Sequence, residues 1–249
     1  MPYKFFGAGN LREKANGFIY NTKDLTARFH NTVLEAHTET FDVLDCTGNK
    51  TGSVISRDEA HRTGVWHGAF HCLIIYERDG RGRALFQKRS ARKKIAPGTF
   101  DVSVGGHYSS GEDARTAGPR EIGEELGLGV RYDELLAVGR RVFVYCCTPG
   151  VEEHEFQDVF LLPRDVRAGQ LTLQQEELDG VIEMDVEQGI ALFSGRIDSL
   201  PLSLLRPSGS RASITVKADG FVPCLDNYYL KLLLLARRYW NGERDSLFI

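Results

Sequence analysis

The chain has 249 residues, 42% hydrophobic and 26% charged, enough to bury one substantial core with additions. A net charge of -3 supplies no basic field for non-specific nucleic-acid binding, and no apolar run reaches membrane-spanning length. Five cysteines, Cys46, Cys72, Cys146, Cys147 and Cys224, include no C-x-x-C pair and read as reduced, buried thiols of a cytoplasmic protein without a signal peptide.

In chain order, residues 1 to 38 are polar and irregular, with a turn signal at Asn16-Gly17, and are expected to form an N-terminal extension. TFDVLD at 40 to 45 alternates like a strand and CTGNKTG at 46 to 52 reads as a turn. AFHCLIIY at 69 to 76 is a buried strand, paired with 83 to 90 across an Asp79-Gly80-Arg81-Gly82 hairpin turn. After a glycine-flanked acidic segment at 105 to 128 come strands at 138 to 147 and 155 to 162. A second helix is predicted around 185 to 193 and an apolar one at 228 to 240. Strands mixed with a few helices, without regular βαβ alternation, imply an α/β protein whose mixed sheet is covered on both faces. In the last helix Leu230, Leu232, Leu233, Leu234, Leu235, Tyr239 and Trp240 surround more than one stripe. So much apolar surface must be covered, either by packing within the chain, against the N-terminal extension included, or in a homodimer contact.

The segment GGHYSSGEDARTAGPREIGEELGL, 105 to 128, is the most informative. Glu121, Glu124 and Glu125 stand at i, i+3 and i+4, one face of a helix, and three like charges so close call for a hard cation with oxygen ligands. Gly106, five residues, Glu112, seven residues and then Arg120-Glu121-Ile122-Gly123-Glu124-Glu125-Leu126-Gly127 resemble the full signature of the Nudix hydrolases, which cleave diphosphates linked to a further moiety. The resemblance implies an α/β/α sandwich with a mixed sheet, plus an N-terminal extension (1 to 38), a catalytic domain (39 to 200) and a C-terminal extension with the apolar helix (201 to 249). It also implies Mg²⁺ or Mn²⁺ on Glu121, Glu124 and Glu125, with Arg120 orienting them, Glu112 behind them and Gly106 near the substrate. Glu124 is the first choice for general base, with Glu176 or Glu177 as alternatives. Pro119 departs from an ordinary helix interior and predicts either a late helix start or a bend at Gly118-Pro119.

A second constellation, SRDEAHRTGVWHGAFH at 56 to 71 and LFQKRSARKKIAPGTFDVSVGGH at 85 to 107, resembles the isopentenyl-diphosphate isomerase branch and its hydrolase relatives from about residue 40 to 185. In that branch three histidines and two glutamates hold a metal. The matching residues are His61, His67, His107, Glu153 and Glu155, with the His61 to His67 gap one residue shorter than in the isomerases. A second, transition-metal site and a structural hydrogen-bond cluster are both open readings of these five. Arg89 and Lys93 match the basic residues that hold the diphosphate; their alternative is a solvated basic turn, KRSARKK. His71, in an apolar strand, reads as a hydrogen-bonded core residue. The isomerases place a cysteine two residues before the histidine of the G-H pair, and here that position is Gly105, so one proton-transfer group is missing and hydrolysis is favoured.

The expected function is therefore Mg²⁺-dependent hydrolysis of a small-molecule diphosphate, an isoprenoid diphosphate or a nucleotide derivative, with no nucleic-acid or membrane partner. An isomerase with another proton donor and a diphosphate-binding sensor are the alternatives. Trp66, Phe70, Phe100 and Tyr108 are either pocket walls or core.

Overall fold

Asp79 and Gly80 both take positive φ, 53° and 68°, and so reverse the chain in two residues. Strand β3 (His67–Arg78) is thereby joined antiparallel to β4 (Arg81–Arg89); Arg81 and Gly82, expected in the turn, already pair with Arg78 and Glu77. The computed structural model describes residues 39–249, so the expected N-terminal extension with its Asn16-Gly17 turn lies outside the described residues. Around the central hairpin, β8 (Glu153–Pro163) runs parallel to β3 and β7 (Leu136–Tyr145) antiparallel to β8. On the other side β9 (Leu178–Asp185), β10 (Leu200–Leu205) and β11 (Arg211–Val216) extend the sheet from β4. Short strands β5 (Phe100–Asp101) and β6 (Val104–His107) add to β4 and β3. One parallel pair among antiparallel ones makes the sheet mixed, as expected. A separate hairpin, β1 (Thr40–Leu44) with β2 (Lys50–Ser56), leads into helix α1 (Arg57–Thr63).

Alternation along β3 sets the layers. Leu73 and Ile75, with Ala84 and Phe86 of β4, face helices α3 (Val186–Phe193) and α4 (Tyr228–Trp240). Phe70, Cys72, Ile74 and Tyr76 face the other way, onto Ile122 and Leu126 of helix α2 (Ala114–Leu126). The result is the α/β/α arrangement. In α4, Tyr228, Tyr229, Leu232, Leu233, Leu235 and Ala236 are buried and Leu230, Leu234, Tyr239 and Trp240 partly buried within the same chain, so the helix covers its leucines by internal packing. Among the described residues no helix is long and apolar enough to cross a membrane.

Helix α2 corrects one expectation. It does not start late; it begins at Ala114, where the Asp113 carboxylate accepts from the amides of Arg115 and Thr116 at 3.0 and 3.2 Å. Such a cap contributes about 1 kcal/mol. Pro119 lies inside the helix and withholds only its bond to the Arg115 carbonyl, on an exposed turn where water can replace it. Gly127 ends the helix in the left-handed conformation, φ 70°, as expected.

Other departures share a cause. Residues 50–52, expected in a turn, open β2, and the short strands β5, β6, β10 and β11 were not individually legible, since their pairing comes from the sheet. The cysteines are all free, but only Cys72 is buried; Cys46, Cys146 and Cys147 are exposed because the strands before them end at Leu44 and Tyr145.

Candidate active site

Gly106 on β6 faces Glu121 of helix α2. A Cβ on Gly106 would overlap the Glu121 carboxylate, so only glycine lets α2 bring that carboxylate against β6. Alanine at Gly106 is expected to push the carboxylate aside and lower kcat by about 100-fold, with circular dichroism unchanged because the displaced atoms end a side chain. Unchanged kcat would show that Glu121 is not positioned by this contact.

Arg120 organises the rest. Its Nε and one Nη donate to both oxygens of Glu112 at 3.0 and 2.7 Å, and that second Nη also reaches the His107 carbonyl at 3.2 Å. The other Nη donates to Glu121 at 2.9 Å and Glu124 at 3.1 Å. A planar fork with five donors makes these five bonds at once; an ammonium, with three donors, could not. Glu125 is buried and accepts from Gln87 Nε2 at 3.1 Å, whereas the Glu124 side chain is 53% exposed. The three glutamates therefore do not share one environment, although they share one helix.

Burial raises the Glu121 carboxyl above the ordinary range, with Arg120 and His107 pulling it back, and raises Glu125 well above it. The folded, ion-free chain thus retains protons that the unfolded chain releases, and its stability falls as pH rises from the ordinary carboxylate range through the raised values. A cation binding the ionised carboxylates displaces those protons. The Tm increase produced by added Mg²⁺ is therefore expected to grow as pH rises above the ordinary carboxylate range through the raised values; an increase that shrinks as pH rises would argue against Mg²⁺ at these glutamates.

The second constellation also converges. Glu153 Oε1 lies 3.1 Å from His61 Nε2, 3.0 Å from His67 Nε2 and 3.4 Å from His107 Nε2, and Glu155 Oε1 lies 2.9 Å from His107 Nε2. Phe41 stacks on His67 and His107 at ring separations of 4.7 and 4.9 Å, closing the cluster. Burial alone would raise the Glu153 carboxyl, but contacts with His107, His61 and His67 hold it well below the usual range. Burial disfavours charge on His107, yet Glu153 and Glu155 outweigh it and push the imidazole up to about 9.

A metal fits this donor set. Nε2 of His61 and of His107 has no aligned hydrogen-bond partner among the described residues despite the short separations. The donor atoms of His61, His67, His107 and Glu153 all lie within 4.8 Å of one another. Tetrahedral ligands at about 2.0–2.1 Å from an ion stand about 3.3 Å apart, close to the 3.0–3.4 Å between Glu153 and the imidazoles. Three imidazoles and a carboxylate suit zinc, manganese or iron.

Both groups, apart from the fully buried His67, line one cleft of about 700 Å³. Arg89 and Lys93 line it too. Arg89 bonds the Ile95 carbonyl at 2.9 Å and lies 3.4 Å from Asp101, while Lys93 pairs with Glu177. These two are therefore anchored in the cleft and are not a freely solvated turn. Lys94 is, with its side chain 75% exposed and paired to Asp58. Glu176 and Glu177 also line the cleft. The four candidate aromatics do not: Phe70 and Phe100 are core, Trp66 packs on His154 and Phe156, and the Tyr108 hydroxyl donates to Asp158 at 3.0 Å. His71 is buried with Nδ1 3.1 Å from the Tyr228 hydroxyl, as expected for a bonded core histidine, but it also lines the cleft.

Gln87, Asp101, Arg141 and Gln157 line or support the cleft and were not singled out from sequence. The signal available was a polar residue inside an apolar strand, as in RALFQKRS and EFQDVFLL. Helix α1, which delivers His61, was announced by Ser56-Arg-Asp-Glu59, where Ser56 Oγ accepts from the Glu59 amide at 3.4 Å.

A NUDIX domain model matches residues 65–202, more than half of the chain. The chain belongs to the Nudix family. It is a Nudix-type hydrolase by that membership and by its relatives. A Nudix hydrolase of Clostridium acetobutylicum is 30% identical over 185 residues, spanning 73% of this chain and 88% of the relative. An isopentenyl-diphosphate Delta-isomerase of Clavibacter michiganensis is 33% identical over 154 residues, 61% of this chain and 75% of that protein. Among solved structures, the crystal structure of DR0079 from Deinococcus radiodurans is similar with 24% identity and a TM-score of 0.46, covering 63% of this chain and 90% of that one.

Proposed function

We propose that this Nudix hydrolase is a cytoplasmic, Mg²⁺-dependent enzyme that cleaves a diphosphate linkage in a small molecule. The observation that carries the reading is the single guanidinium of Arg120 holding Glu112, Glu121 and Glu124 beside Glu125, in a cleft that also presents Arg89 and Lys93. Carboxylates on one side and cations on the other suit a diphosphate with its counter-ion. Glu121, Glu124 and Glu125 would hold Mg²⁺ or Mn²⁺, which supplies Lewis-acid polarisation of the diphosphate and eases deprotonation of the attacking water. His61, His67, His107, Glu153 and Glu155 would hold a second, transition-metal ion.

The remaining work falls to the chain's own groups. Arg89 and Lys93 exchange their carboxylate partners for phosphate oxygens and fix the diphosphate. Arg120 keeps the glutamates from splaying under mutual repulsion. Glu124, the most exposed of the three, is placed to take the proton from the water. Glu177 is the alternative; in this structure it pairs with Lys93, which, against burial, keeps its carboxyl below the usual range.

The histidine cluster and an isomerase relative favour a second reading, double-bond migration in an isoprenoid diphosphate. Gly105 argues against it, since no thiol stands at that position. Cleavage of a panel of diphosphates with and without Mg²⁺, read as the phosphomonoester products formed, with double-bond migration followed in parallel, separates the readings. We expect Mg²⁺-dependent cleavage to phosphomonoester products and no migration; migration without cleavage would replace the hydrolase reading by the isomerase one, and binding without either would leave a sensor.

A further inference from the structure

Along β4, Ala84 and Phe86 face α3 and α4, while Leu85 faces α2. Alternation puts Gln87 on the Leu85 side, and its direct partner on β9, Val181, belongs to the same apolar cluster. An amide that is 2% exposed therefore interrupts a stripe otherwise filled by leucine and valine. Burying an amide costs free energy that a methionine or leucine at the same place would not. A residue that breaks its local pattern in this way marks a bond that the fold or the site requires.

That bond goes to Glu125. Gln87 Nε2 donates to Glu125 Oε2 at 3.1 Å, and among the described residues this carboxylate has no other hydrogen bond and no ion pair. Arg120 serves Glu112, Glu121 and Glu124 and leaves Glu125 out. Glu125 is 4% exposed yet lines the cleft, whereas Gln87 stands behind it and does not. A buried carboxylate with one neutral donor at its back carries uncompensated charge, and a hard cation on its cleft side fits it. The amide also has a property that a guanidinium lacks. It fixes the carboxylate without cancelling its charge, so the whole charge is offered to the cleft. A lysine or arginine at this position would hold Glu125 and repel the cation together.

We infer that Gln87 is a positioning residue, which holds Glu125 for the divalent cation and so sets the Mg²⁺ affinity of the cleft. The inference rests on the Mg²⁺-dependent reading above and adds to it a residue from outside the cleft lining. Groups behind the ligands of a metal fix the orientation of those ligands, and losing one weakens the metal by about 10- to 100-fold.

The test is the thermal stabilisation of the full chain titrated with Mg²⁺ alone, since its dependence on concentration yields the half-saturating Mg²⁺. Magnesium prefers oxygen ligands, so the imidazole-rich cluster contributes little to this titration. Gln87→Met, close to glutamine in shape and without a donor, is expected to raise the half-saturating concentration about 10- to 100-fold. In a Glu125→Gln background the same substitution is expected to change it by less than about twofold, because the amide acts through that carboxylate. A glutamine with a structural role alone would lower Tm in the absence of Mg²⁺ and leave the half-saturating concentration where it was. That result overturns the inference, as does an equal effect of Gln87→Met with and without the Glu125 carboxylate. Gln87→Leu carries the test if Gln87→Met does not fold, and failure of both to fold assigns Gln87 to the core and overturns the inference too. The two readings fail separately: a wild-type chain that Mg²⁺ does not stabilise removes the Mg²⁺ reading and this inference with it, whereas a wild-type response that Gln87→Met retains unchanged removes the inference alone.

Discussion

Glu124→Gln is expected to lower kcat by about 10²- to 10⁴-fold, the range for losing a proton-transfer group, with Tm unchanged or slightly raised. The direction of both effects follows from the site. Glu124 is half exposed and, among the described residues, bonded only to Arg120 at 3.1 Å, so an isosteric amide can occupy its place without opening a cavity. It also removes one negative charge from a cluster that repels itself. Loss of rate together with loss of folding would assign Glu124 a structural role, and retention of near wild-type kcat would move the base elsewhere. Glu125→Gln makes a useful contrast, since that carboxylate is buried against Gln87 and two facing amides would have to reorient before they could bond.

Deleting residues 226–249 is expected to give insoluble or unfolded protein. Six residues of α4 are buried, and Leu232 and Leu233 are fully so. Even Leu233→Ala alone should cost about 2–5 kcal/mol, the usual range for a buried leucine, read as a fall in Tm or in denaturation midpoint. The helix also reaches the cleft: Tyr229 donates to Asp101 at 3.0 Å, and Asp101 in turn stands beside Arg89. The tail therefore holds the cleft wall as well as the core. A soluble, fully active truncation would show that neither contribution matters.

The acidic face of α2 was legible because it depends on local spacing. Glu121, Glu124 and Glu125 are neighbours on any helix, Arg120 precedes them by one residue, and the glycines around them are conformational requirements of the turns. Helix α4 was equally clear over 228–240, since thirteen residues exceed the usual strand length and leucine favours helix. The strands that pair over short distances, such as β3 with β4, followed from a two-residue turn.

What the sequence could not decide is which side chains meet across distant segments. His61, His67, His107 and Glu153 come from a helix and three strands, and their ring nitrogens approach one carboxylate only because β3 runs parallel to β8 in the register His67 to Glu155. Local pattern carries no register between strands eighty residues apart. The same limit hid Arg141 and Gln157, which pair across β7 and β8, and the place of His71 in the cleft wall; a slip of one residue would have turned each away from the cleft. Helix capping and charge spacing on α2 are short-range and were set by the sequence itself. The environment of each glutamate, buried for Glu121 and Glu125 and exposed for Glu124, was decided only when the sheet packed against that helix.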